Sequence, residues 1–268
     1  MGTSIWEQNE CTPPVASPSP DEKPLVVLDV GHSLHSAGAI SPDGRVRECY
    51  FWYRNVCYIV HELERNGVRV VVCNRGKKPK QEPFATTAKA LPVVHLNDPD
   101  TGKRYPSRYH PEHIGAGMVS ADYGISLKPD CMVFLHLNSV GSKWRIGVSQ
   151  GIVMHNKNCG RALAAALCNR LNKEIFCHES GKGLGSKPCK PIVRENRELG
   201  GAGWLNTTDA EGIPAAVIEA FYVDVRSHVD YLSNSANAMR VAHAVAAGIV
   251  DWLRARSEKQ QASHVSTH

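Results

Sequence analysis

Nowhere in its 268 residues does the chain carry an apolar run long enough to cross a bilayer. A membrane-spanning helix, which needs roughly 20 such residues, is therefore excluded. Paired-cysteine motifs are missing too. There are nine cysteines, an odd number, and no two stand at Cys-x-x-Cys spacing. That speaks against a disulfide framework and against a cysteine-based zinc finger. Cys131, Cys168 and Cys177 sit among apolar neighbours and read as reduced core residues. The net charge of +5, from 31 basic and 26 acidic residues, is spread along the chain without a basic stripe or interleaved aromatics. It favours an anionic partner mildly, and nucleic acid is not expected. The opening segment MGTSIWEQNECTPPVASPSPDEKP has no apolar stretch of the secretory-signal kind. Its proline, serine and charge content suggests a disordered leader over 1–24. The protein is expected to be made in the cytoplasm without a Sec-type signal; a signal-independent route or lysis would carry it outside. No internal repeat is present.

What the chain does contain is an alternation of strand-like and helix-like segments. LVVLD, starting at Leu25, reads as a buried strand, and 48–66 as a helix with Trp52, Val56, Ile59, Val60 and Leu63 at helical spacing. Asn66-Gly67 stops that helix, and 68–73 is the next strand. Strand, helix, strand is the unit of a parallel sheet. Residues 75–117 break the rhythm with a polar, proline-containing insert, a length that in a compact domain points to a covering or recognition role. Its basic groups include Lys77, Lys78, Lys80, Lys103, Arg104 and Arg108. Further strands are expected at 131–139, 147–155 and 213–221, with helices at 160–173 and 235–255 and a polar tail at 256–268. The sequence thus predicts a single α/β domain over 25–255, a mostly parallel or mixed twisted sheet flanked by helices.

Three of the apolar strands end in, or carry, a group that a buried strand should avoid: His32 in LDVGH, His136 in VFLHLNS and Glu219 in AAVIEAF. Each lies near the carboxyl end of its strand, the edge where open α/β sheets bind ligands. Glu48 opens the helix after the first of them, where the helix dipole keeps a carboxylate ionised. Each residue has a plainer reading. A histidine in an apolar strand is commonly a hydrogen-bonded core residue, and a first-turn glutamate commonly just a helix-start charge. Glu219 is harder to dismiss, because a carboxylate in so apolar a strand is costly unless paired or near a metal. His35, His110 and His113 are rival ligands; the first reads as a loop residue and the other two fall in the insert. Taken together, two histidines and a glutamate with an open fourth position make a catalytic zinc pattern, and a further unligated glutamate supplies the general base such hydrolases need.

In these features the chain resembles the zinc-dependent N-acetylmuramoyl-L-alanine amidases of amidase type 3, which cleave peptidoglycan. The resemblance is carried in order by VVLDVGHSLHSAGAISPDGRVRE, VFLHLNS and IPAAVIEAFYVDVRSHVDYL, and it spans the whole expected domain. It implies Zn2+ as cofactor, with the zinc site at the carboxyl edge of the strands. By position, His32, Glu48 and His136 resemble the zinc ligands and Glu219 the catalytic glutamate. It implies hydrolysis of the amide joining the muramoyl lactyl group to L-Ala, with peptidoglycan as partner and action in the periplasm or on the wall. Val30 and Ser33 around Gly-His, and the segment after Glu219, depart from the family's usual pattern. They suggest a divergent branch, of the phage-lysin or secreted-effector kind, and the effector reading adds an immunity or delivery protein as a candidate partner. Arg194 is a candidate oxyanion or substrate donor, and its plainer reading is a surface or salt-bridging residue. Two other readings stand beside this one: another zinc amide hydrolase, akin to an N-formylglutamate amidohydrolase or a carboxypeptidase, and a non-catalytic wall-binding module.

Overall fold

The computed structural model of the chain describes residues 23–32, 38–74, 93–95, 124–145, 150–176, 184, 187–193 and 203–265. The strands are β1 (Leu25–Val30), β2 (Arg69–Asn74), β3 (Val93–His95), β4 (Cys131–Leu135), β5 (Gln150–His155), β6 (Lys187–Val193) and β7 (Ala215–Glu219). The helices are α1 (Glu48–Arg65), α2 (Arg161–Leu171), α3 (Gly203–Ala210), α4 (Arg226–Leu232) and α5 (Ser235–Val265), with a π-helical turn Asn172–Phe176 continuing α2. Among the described residues no helix is long and apolar enough to cross a membrane.

Among the described residues, seven strands form one sheet in the order β3-β2-β1-β4-β7-β5-β6. The first five in that order are mutually parallel. β5 runs antiparallel to β7 and parallel to β6, so the last two strands are reversed. This is the α/β domain with a mixed sheet that the alternating pattern predicts. Alternation along each strand feeds two cores, as a parallel sheet covered on both faces requires. Val26, Leu28, Val30, Val133, Leu135 and Ile218 pack with α1, α2 and α5. Val27, Met132, Phe134, Ala215 and Val217 pack on the other face, against Leu205 of α3 and Ile125. β4 is buried along its whole length at the centre of the sheet.

Several elements differ from their sequence expectation. The strand expected over 131–139 ends at Leu135, so His136 follows β4 instead of lying within it. The strand expected over 213–221 is confined to Ala215–Glu219. The closing helix runs ten residues past 255, to Val265, through most of what was expected to be a polar tail. That stretch, RSEKQQASHV, contains good helix formers and no proline or glycine, so the helix continues past Arg256, which pairs with Asp130 at 2.7 Å, through the exposed residues 257–263. β6, KPCKPIV, carries two prolines and has no strand signal. It forms because it is an edge strand, where a missing N–H need not face a neighbour. The 75–117 segment contributes β3, an edge strand on β2. Its basic residues, together with His35, His110, His113, Arg194 and the 1–22 leader, lie outside the described residues.

Candidate metal centre

The site begins with strand register. Val30 of β1 is level with Leu135 of β4, and Leu135 with Ile218 of β7. Gly31, His136 and Glu219 therefore occupy the next position on three adjacent strands, all at their carboxyl ends. Backbone pairing continues one step past the strands: Gly31 N–H donates to Leu135 O at 2.9 Å and His136 N–H to Ile218 O at 3.0 Å. Glu219, the last residue of β7, is half-buried and sits level with Ile152 of β5.

After Gly31 the chain turns sharply. His32 has φ +66°, in the left-handed region that a β-carbon disfavours by about 1–2 kcal/mol. The turn brings its ring against His136, with centroids 5.2 Å apart and planes at 74°. The chain returns through a tight hairpin. Ser41 N–H bonds Val46 O at 2.9 Å and Gly44 N–H bonds Ser41 O at 2.8 Å, across the turn sequence Ser41-Pro42-Asp43-Gly44. Ile40 and Arg47 pair antiparallel, and the next residue is Glu48, first of α1.

The Glu48 carboxylate is the hub. Oε1 lies 2.9 Å from His136 Nδ1 and accepts the Leu137 N–H at 2.9 Å. Oε2 lies 3.1 Å from His32 Nε2 and accepts the Ala39 N–H at 2.8 Å. Burial pushes this carboxyl upward, but the contacts with His136 and His32 outweigh it and hold the group down at about 2. Glu48 is thus an ionised carboxylate at 2 % exposure, aimed by two backbone N–H groups at two imidazoles. His136 is buried as well, whereas the His32 side chain is 34 % exposed, so the cluster opens to solvent on the His32 side.

Two glycines make room for the centre. A β-carbon on Gly31 would lie 2.6 Å from His136 Cε1. One on Gly38 would overlap His32 Cδ2 and sit 2.5 Å from Glu48 Oε2, and Gly38 also has φ +70°. A donor atom from each of His32, Glu48 and His136 lies within 4.8 Å of the other two, and this is the one such group of three among the described residues. The N···O separations of 2.9 and 3.1 Å approach the edge of a tetrahedron built from bonds of about 2.0–2.1 Å, roughly 3.3 Å. Two imidazole nitrogens and a carboxylate, one side open, fit a divalent metal of the zinc type.

Residues to which sequence reading gave no role of their own hold the segment after Glu219. Asn138 N–H donates to Phe221 O at 2.7 Å and Val223 N–H to Asn138 O at 2.9 Å, lacing the loop after β4 to the loop after β7. The fully buried Asp224 accepts the Val140 N–H at 3.0 Å through Oδ2, and its carbonyl accepts the Arg145 N–H at 2.8 Å. His228, also fully buried, accepts the Tyr222 N–H on Nδ1 at 2.9 Å. Burial lowers its pKa to about 4, so the imidazole is neutral at pH 7. An aspartate and a histidine, each beside a valine in YVDVRSHV, were the available signal.

Residues 26–251 match the family described as N-acetylmuramoyl-L-alanine amidase. The chain belongs to that family. Its activity is that of a peptidoglycan amidase, a hydrolase of the cell wall. Solved members share the fold at low identity. AmiC2 of Nostoc punctiforme is 19 % identical, with a TM-score of 0.56 over 87 % of this chain and 98 % of its own. The CwlD amidase of Clostridioides difficile, solved in complex with the GerS lipoprotein, is 14 % identical, with a TM-score of 0.59 over 87 % of this chain and 100 % of its own. The catalytic domain of CwlV from Bacillus (Paenibacillus) polymyxa var. colistinus is 16 % identical, with a TM-score of 0.55 over 86 % and 98 %. No curated protein matches the chain. The family expected from the Gly-His, Glu48, His-x-Asn and Glu219 motifs is therefore the family found.

Proposed function

We propose that the amidase is zinc-dependent, that His32, Glu48 and His136 hold the metal, and that Glu219 is the general base. The observation that carries this is the Glu48 carboxylate, buried and ionised between His136 Nδ1 and His32 Nε2 at 2.9 and 3.1 Å. A charge of that kind is costly to bury for imidazoles alone, and a divalent cation in their midst would compensate it. Zinc, when bound, lowers the pKa of water from about 15.7 towards 7 and polarises a carbonyl.

The chain's own residues do the rest. The N–H groups of Ala39 and Leu137 fix the Glu48 carboxylate, so His32 and His136 meet a rigid partner. Glu219, beside His136 on the neighbouring strand, takes a proton from the attacking water and passes it to the departing L-Ala nitrogen. The half-exposed His32 side is where the muramoyl lactyl amide enters. The backbone laced through Asn138, Asp224 and His228 keeps the end of β7 in place while the proton moves. A delivery or immunity protein that binds this entrance would regulate the enzyme.

Digestion of purified peptidoglycan with mass analysis of the products tests the reading. The expected products are free stem peptides beginning with L-Ala and glycan strands with intact lactyl groups. Chelation should abolish release and added zinc restore it. Turnover of small N-acyl amino acids without release from the wall would favour a formylglutamate-type or carboxypeptidase activity. Wall binding without any product would mark a binding module.

A further inference from the structure

Away from the metal centre, two thiols from different layers meet in the core. Cys168, in the last turns of α2, directs its S–H to Cys189 of β6, with the sulfurs 3.6 Å apart. Both are nearly buried, at 2 % and 4 % exposure. The contact is braced on the next turn. Asn172 Nδ2 donates to Cys189 O at 2.9 Å, and Cys189 N–H donates to Asn172 Oδ1 at 2.5 Å. The edge strand is thereby held to the end of α2 by one side chain, with the two sulfurs alongside.

We propose that Cys168 and Cys189 are a disulfide site: under oxidising conditions they form a bond that staples the edge strand β6 to α2. The sulfurs must approach by about 1.5 Å to reach the usual S–S length of roughly 2.05 Å. The backbone at Cys189 can supply that. The β5–β6 register goes from Gln150 level with Lys187 to Ile152 level with Lys190, so two steps on β5 face three on β6. Cys189 lies within this bulge, where a strand bends most readily. The reaction is a two-electron exchange with a small disulfide such as oxidised glutathione. Two S–H bonds and one external S–S bond break; one protein S–S bond forms and two glutathione thiols leave.

The neighbouring Cys168 thiol and burial push the Cys189 thiol well above its ordinary value, so little thiolate exists in the closed state. Exchange therefore proceeds during folding or when the edge strand opens. The bond would also steady the flank of the centre, because Ile152 is level with both Lys190 of β6 and Glu219 of β7. That the oxidised form is the working one rests on the proposed function, since the cell wall lies outside the reducing cytosol. Formation of the bond does not depend on it.

The full chain should be refolded in a buffer of oxidised and reduced glutathione, alkylated, digested and mapped by mass. The expected result is a peptide pair linked through Cys168 and Cys189, with reactive thiols falling from nine to seven. Tm should rise by roughly 5–10 °C over the same protein after reduction, as for a loop of about 20 residues in a domain of this size. Cys168→Ala and Cys189→Ala should each abolish the link and the redox dependence of Tm. The untreated reduced protein is the comparison if either variant folds poorly. Full alkylation of both cysteines in wild type, or Cys189 linked to a different cysteine, overturns the proposal. Neither readout involves peptidoglycan, so failure of the amidase reading would be seen separately.

Discussion

Glu48 Oε1 and His136 Nδ1 stand 2.9 Å apart across 88 positions of sequence. The same oxygen accepts the Leu137 N–H, so the histidine and the backbone beside it grip one carboxylate from the same strand end. The other oxygen is held in the same manner by His32 and the Ala39 N–H. One buried charge therefore ties together the ends of β1 and β4, the first loop and the start of α1.

Glu48→Gln removes that charge while keeping one acceptor oxygen. The amide NH2 must then face Ala39 N–H or Leu137 N–H, donor against donor, at a cost of about 1–3 kcal/mol. Zinc affinity, measured by competition with a chromogenic chelator, should fall by more than the roughly 100-fold typical of an outer-sphere change. Wild-type affinity in a folded variant would remove Glu48 from the ligand set.

Gly38 and Gly44 form a matched pair for mutation. Both have positive φ, +70° and +72°. A β-carbon at Gly44 meets nothing within 4 Å, whereas one at Gly38 collides with His32 and Glu48. Gly44→Ala should cost about 1–2 kcal/mol in urea unfolding, from backbone strain alone, with zinc binding unchanged. Gly38→Ala should cost more and should also weaken the metal. Equal effects on metal binding would show that the loop yields.

Glu219→Gln should retain zinc, because Glu219 lies outside the group of three donors. Its rate of stem-peptide release should drop by roughly two to four orders of magnitude, the range for a positioned acid–base group. Release at near wild-type rate with metal bound would dismiss Glu219 as the base.

His228 sets a pH dependence of stability. Its folded pKa is lowered from 6.5 to about 4, so the unfolded chain binds its proton first as pH falls. Its contribution is complete above about pH 6.5 and is lost as pH falls from there to about 4. The full loss is roughly 3 kcal/mol for a shift of this size, at about 1.4 kcal/mol per unit. His228→Gln keeps an acceptor for the Tyr222 N–H but cannot take a proton in this range. The gap in urea stability between wild type and variant should therefore change steadily between pH 6.5 and 4 and be flat above. A gap that is constant throughout would mean that His228 does not titrate in this range.

Much of this protein is local and was legible in the order of its residues. The apolar strand halting at Gly31-His32, the glutamate at the head of α1 and the presence of Glu219 in a late apolar strand each follow from short-range rules of strand and helix. Prolines in β6 concealed a strand, because proline is read as a breaker unless its position at a sheet edge is known. The polar end of α5 looked like a tail because helix propensity without an apolar period leaves a weak mark. Only the tertiary structure decided that β4 lies between β1 and β7, and so which side chains share one end of the sheet. It also decided that His32 takes a left-handed turn, that Gly31 and Gly38 leave space for imidazoles and a carboxylate, and that Cys168 meets Cys189. Gly31 meets His136 from 105 positions away and Cys168 meets Cys189 from 21, so those contacts are set by the packing of whole strands and helices, while the turn at His32 is fixed by the ring and carboxylate it must bring together.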